Sequence, residues 1–315
     1  MVSLKLRPIA LAAVVALWSA PAMALQVVAS IKPVHSLVAA VMEGAGRPTL
    51  LVEGAGSPHT FTLRPSDAKR LAQADVVVWV GPSLEGFLAK PIAALSTGAT
   101  VVTLSTASGM QVLAGRDGGA WSGHDHAHGH GHRHAHGAAG AAEIDGHLWL
   151  DPANARAIVV AVADALATRD PANASRYQAN AAAQAERLTA LEAELATRLA
   201  PVAATPFLVF HDAYQYLERR YGLNAVGAIA ISPERKPGAR RIRALRQRVA
   251  QAKARCVFSE PQFDPSVVAT VLEGGAARTA VLDPLGTPIA DGPGLYPALM
   301  RRIADVLVGC LSPTA

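Results

Sequence analysis

Eleven histidines lie along this 315-residue chain, and they divide into two sets. Seven of them, His124, His126, His128, His130, His132, His134 and His136, alternate with small, acidic or basic residues in a single tract. The other four, His35, His59, His147 and His211, stand far apart. Neutral imidazole is a good ligand for a borderline metal ion, and three imidazoles with one oxygen complete the tetrahedron that Zn²⁺ adopts. His59 sits just after a predicted strand, in Gly56-Ser57-Pro58-His59-Thr60, and His211 ends another, Phe207 to Phe210. His147 opens the segment before Asp151-Pro152. Loops at the carboxyl ends of strands line the ligand crevice of open α/β sheets, so these three side chains are candidates to meet. Spacing alone leaves a second possibility open, that they are separate loop histidines satisfied by local hydrogen bonds. His35, two residues past Pro33, belongs either near a crevice mouth or on the first helix as a hydrogen-bonded residue.

The elements that must position these residues are readable from periodicity. Short β-rich runs at 26–31, 48–52, 75–80 and 100–104 alternate with amphipathic stretches, the pattern of βα units around a parallel sheet. Several runs are apolar at consecutive positions, as strands buried on both faces must be. The rhythm stops over residues 115–146, where the histidine tract lies among Gly, Ala and Asp; this composition cannot bury a core and predicts a disordered loop. Asp151-Pro152 and Asp170-Pro171 are each an N-cap followed by proline at the first helical position. From Pro171 to Leu199 the chain is rich in Ala, Leu, Glu, Gln and Arg without Gly or Pro inside, a helix roughly 40 Å long. The βα rhythm then resumes, with strands expected at 207–210, 225–230, 256–259 and 279–282. The fold class is therefore α/β, with two lobes of parallel sheet flanked by helices: residues 25–170, a rigid linker helix over 171–200, and residues 201–315.

Lys5 and Arg7, the apolar run Ile9 to Leu17 and Ala22-Met23-Ala24 have the form of an export signal, so a mature chain starting at Leu25 in a periplasm is expected. The two cysteines, Cys256 and Cys310, lie far from that cleavage point, which fits release better than a lipid anchor and, in an oxidising compartment, favours one disulfide over two buried free thiols. Formal net charge is +5, of which the signal supplies two, and this mild excess gives no reason to expect a nucleic-acid partner. Nine Lys and Arg residues from Arg235 to Arg255 have no acidic neighbour until Glu260. They form either a solvated helix face or a docking surface for a membrane component.

Several stretches, in order and along nearly the whole mature chain, carry a resemblance. They are Ser30-Ile31-Lys32-Pro33, Gly56-Ser57-Pro58-His59 leading to Leu63-Arg64-Pro65-Ser66-Asp67, Val77-Val78-Trp79-Val80-Gly81-Pro82 and Asp145-Gly146-His147-Leu148-Trp149-Leu150-Asp151-Pro152. Phe210-His211-Asp212-Ala213-Tyr214, Ser259-Glu260-Pro261-Gln262 and Leu282-Asp283-Pro284-Leu285-Gly286 complete the set. The chain resembles the periplasmic zinc-binding proteins of zinc ABC importers, the ZnuA type of the cluster A-I solute-binding family. That resemblance implies a Zn²⁺ ion held between the lobes by His59, His147 and His211, a monomeric binding protein without enzymatic activity, and a membrane permease as partner. Manganese-binding relatives typically carry a carboxylate where His211 stands, and imidazole favours Zn²⁺ over Mn²⁺. Some relatives place a glutamate before the first histidine, but that residue here is Pro58. The fourth ligand is thus Asp283 or water, and Glu260 is a candidate acceptor for an imidazole N–H. The rival functions are a metallohydrolase, for which no HExxH signature is present, a manganese or iron receptor, and an adhesin or zinc buffer.

The histidine tract is a solvated insertion without a role, a set of auxiliary weak sites that collect ions near the crevice, or a sensor of zinc abundance, and its resemblance to the His-rich loop of the zinc branch favours collection. Deleting Gly123 to Gly137 is expected to leave one tight zinc site and remove additional weak ones. Titration calorimetry checks this, and loss of the tight site would refute it.

Overall fold

In a computed structural model, residues 25–116, 144–230 and 238–313 are described. The expected export signal and all seven histidines of the tract lie outside those residues. Eight strands and nine α-helices follow one another among the described residues. The first half runs β1 (Val27–Ala29), α1 (Lys32–Val41), β2 (Thr49–Leu50), α2 (Pro65–Ala72), β3 (Val76–Trp79), α3 (Ala89–Leu95) and β4 (Thr100–Thr103). Then come α4 (Pro152–Arg169) and α5 (Ala174–Leu199). The second half runs β5 (Phe207–His211), α6 (Gln215–Tyr221), β6 (Ala225–Ala230), α7 (Ala239–Gln251), β7 (Cys256–Ser259), α8 (Ser266–Leu272), β8 (Arg278–Val281) and α9 (Leu295–Leu311).

Each half forms a four-stranded parallel sheet, in the orders β2-β1-β3-β4 and β6-β5-β7-β8. The strands expected from apolar runs are present, and the central ones, β1, β3, β5 and β7, are buried at every position. Parallel sheets sandwiched between helices require this, because both faces are covered. Asp151 caps α4 by accepting the Ala153 N–H at 2.8 Å, with Pro152 at the first position. The expected long helix begins with one 3₁₀ turn at Pro171–Asn173 and continues as α5 for 26 residues, about 39 Å. Tyr177, Ala181, Gln184, Leu188, Leu191, Leu195 and Leu199 recur at intervals of three and four and are its buried residues, the stripe an amphipathic helix presents to a core.

Each half has a smaller apolar cluster of its own on one face of its sheet, and the largest cluster is shared between them. The shared cluster runs from Val27 and Leu37 through Trp149, Leu188 and Phe207 to Leu307. Polar bonds stitch the same boundary. Lys32 of α1, almost fully buried, donates to the carbonyls of Thr287 and Ile289 at 3.1 and 2.8 Å and pairs with Asp291 at 3.2 Å. The Trp149 indole donates to the Pro284 carbonyl at 2.9 Å, and the Tyr296 hydroxyl donates to the Trp149 carbonyl at 2.7 Å. On α6, Arg220 holds both oxygens of Asp151 at 2.9 and 2.7 Å.

Among the described residues of the arginine run, four side chains bond to backbone carbonyls, while Arg240 and Arg243 are exposed. Arg241 donates to the carbonyls of Ala228 and Ile229, Arg248 to that of Val226, Arg246 to that of Thr270, and Arg255 to that of Leu311. These guanidinium groups satisfy backbone oxygens along β6, an outer strand of its sheet, and in the last turns of α8 and α9.

Cys256 on β7 and Cys310 on α9 form a disulfide with a Cα–Cα distance of 6.2 Å, tying the last helix to the second sheet. Replacing both cysteines with serine is expected to lower unfolding free energy by about 2–4 kcal/mol. Denaturant unfolding of the variant beside the oxidised parent checks this, and an unchanged midpoint would contradict it.

Candidate metal centre

His59 is carried on the loop between β2 and α2, His147 leads into the 3₁₀ turn Leu148–Leu150, and His211 is the last residue of β5. All three reach the junction of the two halves. Among the described residues they form the one group of three or more potential ligands, with ligand atoms within 4.8 Å of one another. His147 Nε2 lies 3.3 Å from His59 Nε2 and 3.2 Å from His211 Nε2. A tetrahedral Zn²⁺ with Zn–N bonds near 2.0–2.1 Å sets its ligand atoms roughly 3.3–3.4 Å apart, so these spacings match the edges of such a tetrahedron.

Buried carboxylates fix the direction of two of the rings. Asp145 Oδ1 accepts the His147 backbone N–H at 3.0 Å and lies 2.7 Å from His147 Nδ1. Glu260 Oε1 is likewise 3.3 Å from the His211 backbone N and 2.7 Å from its Nδ1. With each Nδ1–H donated to a carboxylate, each neutral ring presents a bare Nε2 lone pair to the junction. Two lone pairs 3.2 Å apart in a buried site repel, and a cation between them converts that repulsion into ligation. Among the described residues no carboxylate plays this part for His59; its backbone N–H donates to Ser57 Oγ at 3.3 Å.

Electrostatics reinforce the arrangement. Burial, and then the neighbouring His147 and His211, push the His59 imidazole down to about 2. Burial likewise drives His147 well below the usual histidine range, with His211 adding to it. Burial pulls on His211 as well, but Glu260 overrides it and raises that imidazole. Asp145 is pushed up to about 7 by burial, against the opposing hydrogen bond from His147.

Asp283 is not gathered with the three imidazoles. Its carboxylate accepts the N–H groups of Leu285 and Thr287 at 3.0 and 2.6 Å and the Gln262 amide at 3.0 Å, which holds it back. His35 lies elsewhere, buried rather than partly exposed, with Nε2 3.1 Å from the Pro48 carbonyl. Glu260 bonds to an imidazole, as its place after a strand allowed. The role of Asp145 was missed: its signal is the Asp-Gly-His spacing, which lets one carboxylate meet both the backbone and the ring of a residue two positions on. Arg116 was missed as well. It pairs with Asp212 and Glu218 just beyond His211 and joins the start of the histidine tract's stem to α6.

The turn 81–85 supports the His147 segment from behind. A Cβ on Gly146 would lie 2.8 Å from Leu84 Cβ, so only glycine allows this approach. Glu85, fully buried, accepts the N–H groups of Val80 and Gly81 through Oε2 at 2.8 and 3.1 Å, and burial pushes it up to about 7.

Two parallel-sheet halves closing on a trio of imidazoles define a metal-capturing solute-binding protein. The family model for "Zinc-uptake complex component A periplasmic" matches residues 27–310, and the chain belongs to that family. The chain is 50% identical over 305 residues to the high-affinity zinc uptake system protein ZnuA of Brucella suis, covering 91% of each chain. With the protein of that name from Yersinia pestis it shares 35% identity over 290 residues, 90% of this chain and 91% of the other. A crystal structure of ZnuA shares the fold, with a TM-score of 0.76 at 23% identity, over 92% of this chain and all of that one. Zinc uptake is thus the role, and Zn²⁺ the cargo, of the family to which the chain belongs. Among the described residues no helix is long and apolar enough to cross a membrane.

A Glu85→Gln variant isolates the buried acid, because the amide oxygen still accepts from Val80 and Gly81. In the parent, folding raises the Glu85 pKa from about 4.5 to about 7, so the native state holds a proton that the unfolded chain lacks in that window. Its contribution is therefore greatest below the window and declines as pH rises through it. Between pH 5 and pH 8 the metal-free parent should lose roughly 1–3 kcal/mol relative to the variant. Parallel denaturant titrations at the two pH values measure this, and identical pH responses would refute it.

Proposed function

We propose that this chain captures Zn²⁺ in the periplasm through His59, His147 and His211 and delivers it, as a monomer, to the membrane permease of a zinc ABC importer. The observation that carries the ligand assignment is the pair of Nε2 separations, 3.3 and 3.2 Å, at the junction of the two halves. The carboxylates behind His147 and His211 support it, since they hold both rings in the tautomer that ligates. An all-imidazole protein set is a borderline donor set and favours Zn²⁺ over Mn²⁺. The small space bounded by the imidazoles, Trp149, Phe263 and Leu285 suits capture of a single ion. Delivery to a permease, the periplasmic location and the lack of enzymatic activity rest on family membership.

Removing one imidazole leaves an ion with two protein nitrogens. His59→Ala, His147→Ala and His211→Ala are each expected to weaken zinc binding at least about tenfold, and Asp145→Ala by about 10–100-fold. His35→Ala should leave affinity unchanged. Competition against a chromophoric chelator decides this, and parental affinity in any of the three histidine variants removes that residue from the ligand set.

A further inference from the structure

His59 and His147 come from segments 88 residues apart, and the 3.3 Å between their Nε2 atoms requires those segments to keep one register. One short stretch of the first half touches both. Leu84 lies directly beneath Gly146, the neighbour of His147. A little further on, Phe87 packs its ring against that of Phe61, two residues past His59, with centroids 5.4 Å apart. The loop bearing His59 and the segment bearing His147 thus lean on residues 84 and 87 of the same stretch.

Glu85 stands between the two contacts and is what fixes the stretch. Its side chain is fully buried, and Oε2 accepts the N–H groups of Val80 and Gly81 at 2.8 and 3.1 Å. Its own N–H donates to the Gly81 carbonyl at 3.0 Å. These bonds close the turn by which the chain leaves β3, and β3 is itself held between β1 and β4. The carboxyl therefore ties residues 84–87 to the end of an inner strand. Without it two buried N–H groups lose their acceptor, and the turn has to open to find water.

We infer that Glu85 is a positioning residue for zinc binding: it anchors residues 84–87 as a bracket on which the His59 and His147 segments are both set, so that their nitrogens reach the ion together. His211 lies outside this arrangement, at the end of β5 in the other sheet, with Glu260 as its own brace. The inference rests on the reading that the three imidazoles hold the ion. It also gives His59 the support that no carboxylate provides.

The test compares zinc affinities of the full chain, by chelator competition, for Glu85→Ala and Glu85→Gln. Glu85→Ala should bind Zn²⁺ about tenfold more weakly than the parent, and Glu85→Gln, whose amide oxygen still accepts both N–H groups, within about twofold of it. A general loosening of the protein would weaken every background alike, so the two-site role is read from double-variant cycles. Glu85→Ala should again lose about tenfold in a His211→Ala background but only about threefold in His59→Ala or His147→Ala, where one of the two supported ligands is already gone. Should Glu85→Ala fail to unfold cooperatively as the metal-free chain, Phe87→Ala carries the test with the carboxyl intact: a loss of about threefold in the parent and none in His59→Ala. Parental affinity in Glu85→Ala, no rescue by Glu85→Gln, or a loss undiminished in His59→Ala overturns the inference; in the Phe87→Ala arm, parental affinity or an equal loss in His59→Ala does so. Parental affinity in His59→Ala or His147→Ala alone would instead sink the underlying three-imidazole reading.

Discussion

The centre depends on two short hydrogen bonds, from His147 to Asp145 and from His211 to Glu260, each 2.7 Å at Nδ1. A neutral histidine has one lone pair to offer, and which nitrogen offers it is decided by where the proton goes. Burying the acceptors settles that decision and orients the rings as well. The cost is real: both carboxylates are raised by burial, and each keeps one oxygen without a partner. A site organised around acceptors and bare lone pairs is poorly satisfied as an apo protein, and a cation supplies what the protein omits.

The surroundings are built to keep those atoms where they are. His211 closes β5, the central strand of its sheet's β6-β5-β7 run, and Glu260 follows β7 beside it, so one parallel pair carries both imidazole and acceptor. Asp145 and His147 are two residues apart on a segment whose Gly146 is seated on Leu84. His59 alone rides on a longer loop. Two ligands are thus set by sheet geometry, and the third is set by a segment with fewer constraints.

Much of this was legible in the chain. The consecutive valines of β3 and the Phe207 to Phe210 run announce strands covered on both faces, and Asp-Pro at 151–152 marks the start of α4 because proline costs nothing at a first helical position. Division of the histidines into a tract and isolated residues singled out His59, His147 and His211. Their approach to one another was legible only through resemblance, since no spacing encodes a contact across 64 or 88 residues. Local partners were harder still. Asp283 or water was the choice for a fourth ligand that the resemblance implied, and three nearby N–H groups bond to the Asp283 carboxylate. The arginines of α7 read as surface charge, yet backbone carbonyls claim most of those described. Tertiary hydrogen bonding decided each case, and composition carries no record of it.

A core cluster shared by both halves from Val27 to Leu307, braced by a 26-residue helix and by buried Lys32, bears on how loading is announced. Receptors whose lobes swing about a supple strap advertise occupancy by changing their outline. Among the described residues the two halves are tied by shared packing, so the difference between full and empty would be written chiefly in the small patch around the His59 loop rather than in the silhouette of the whole.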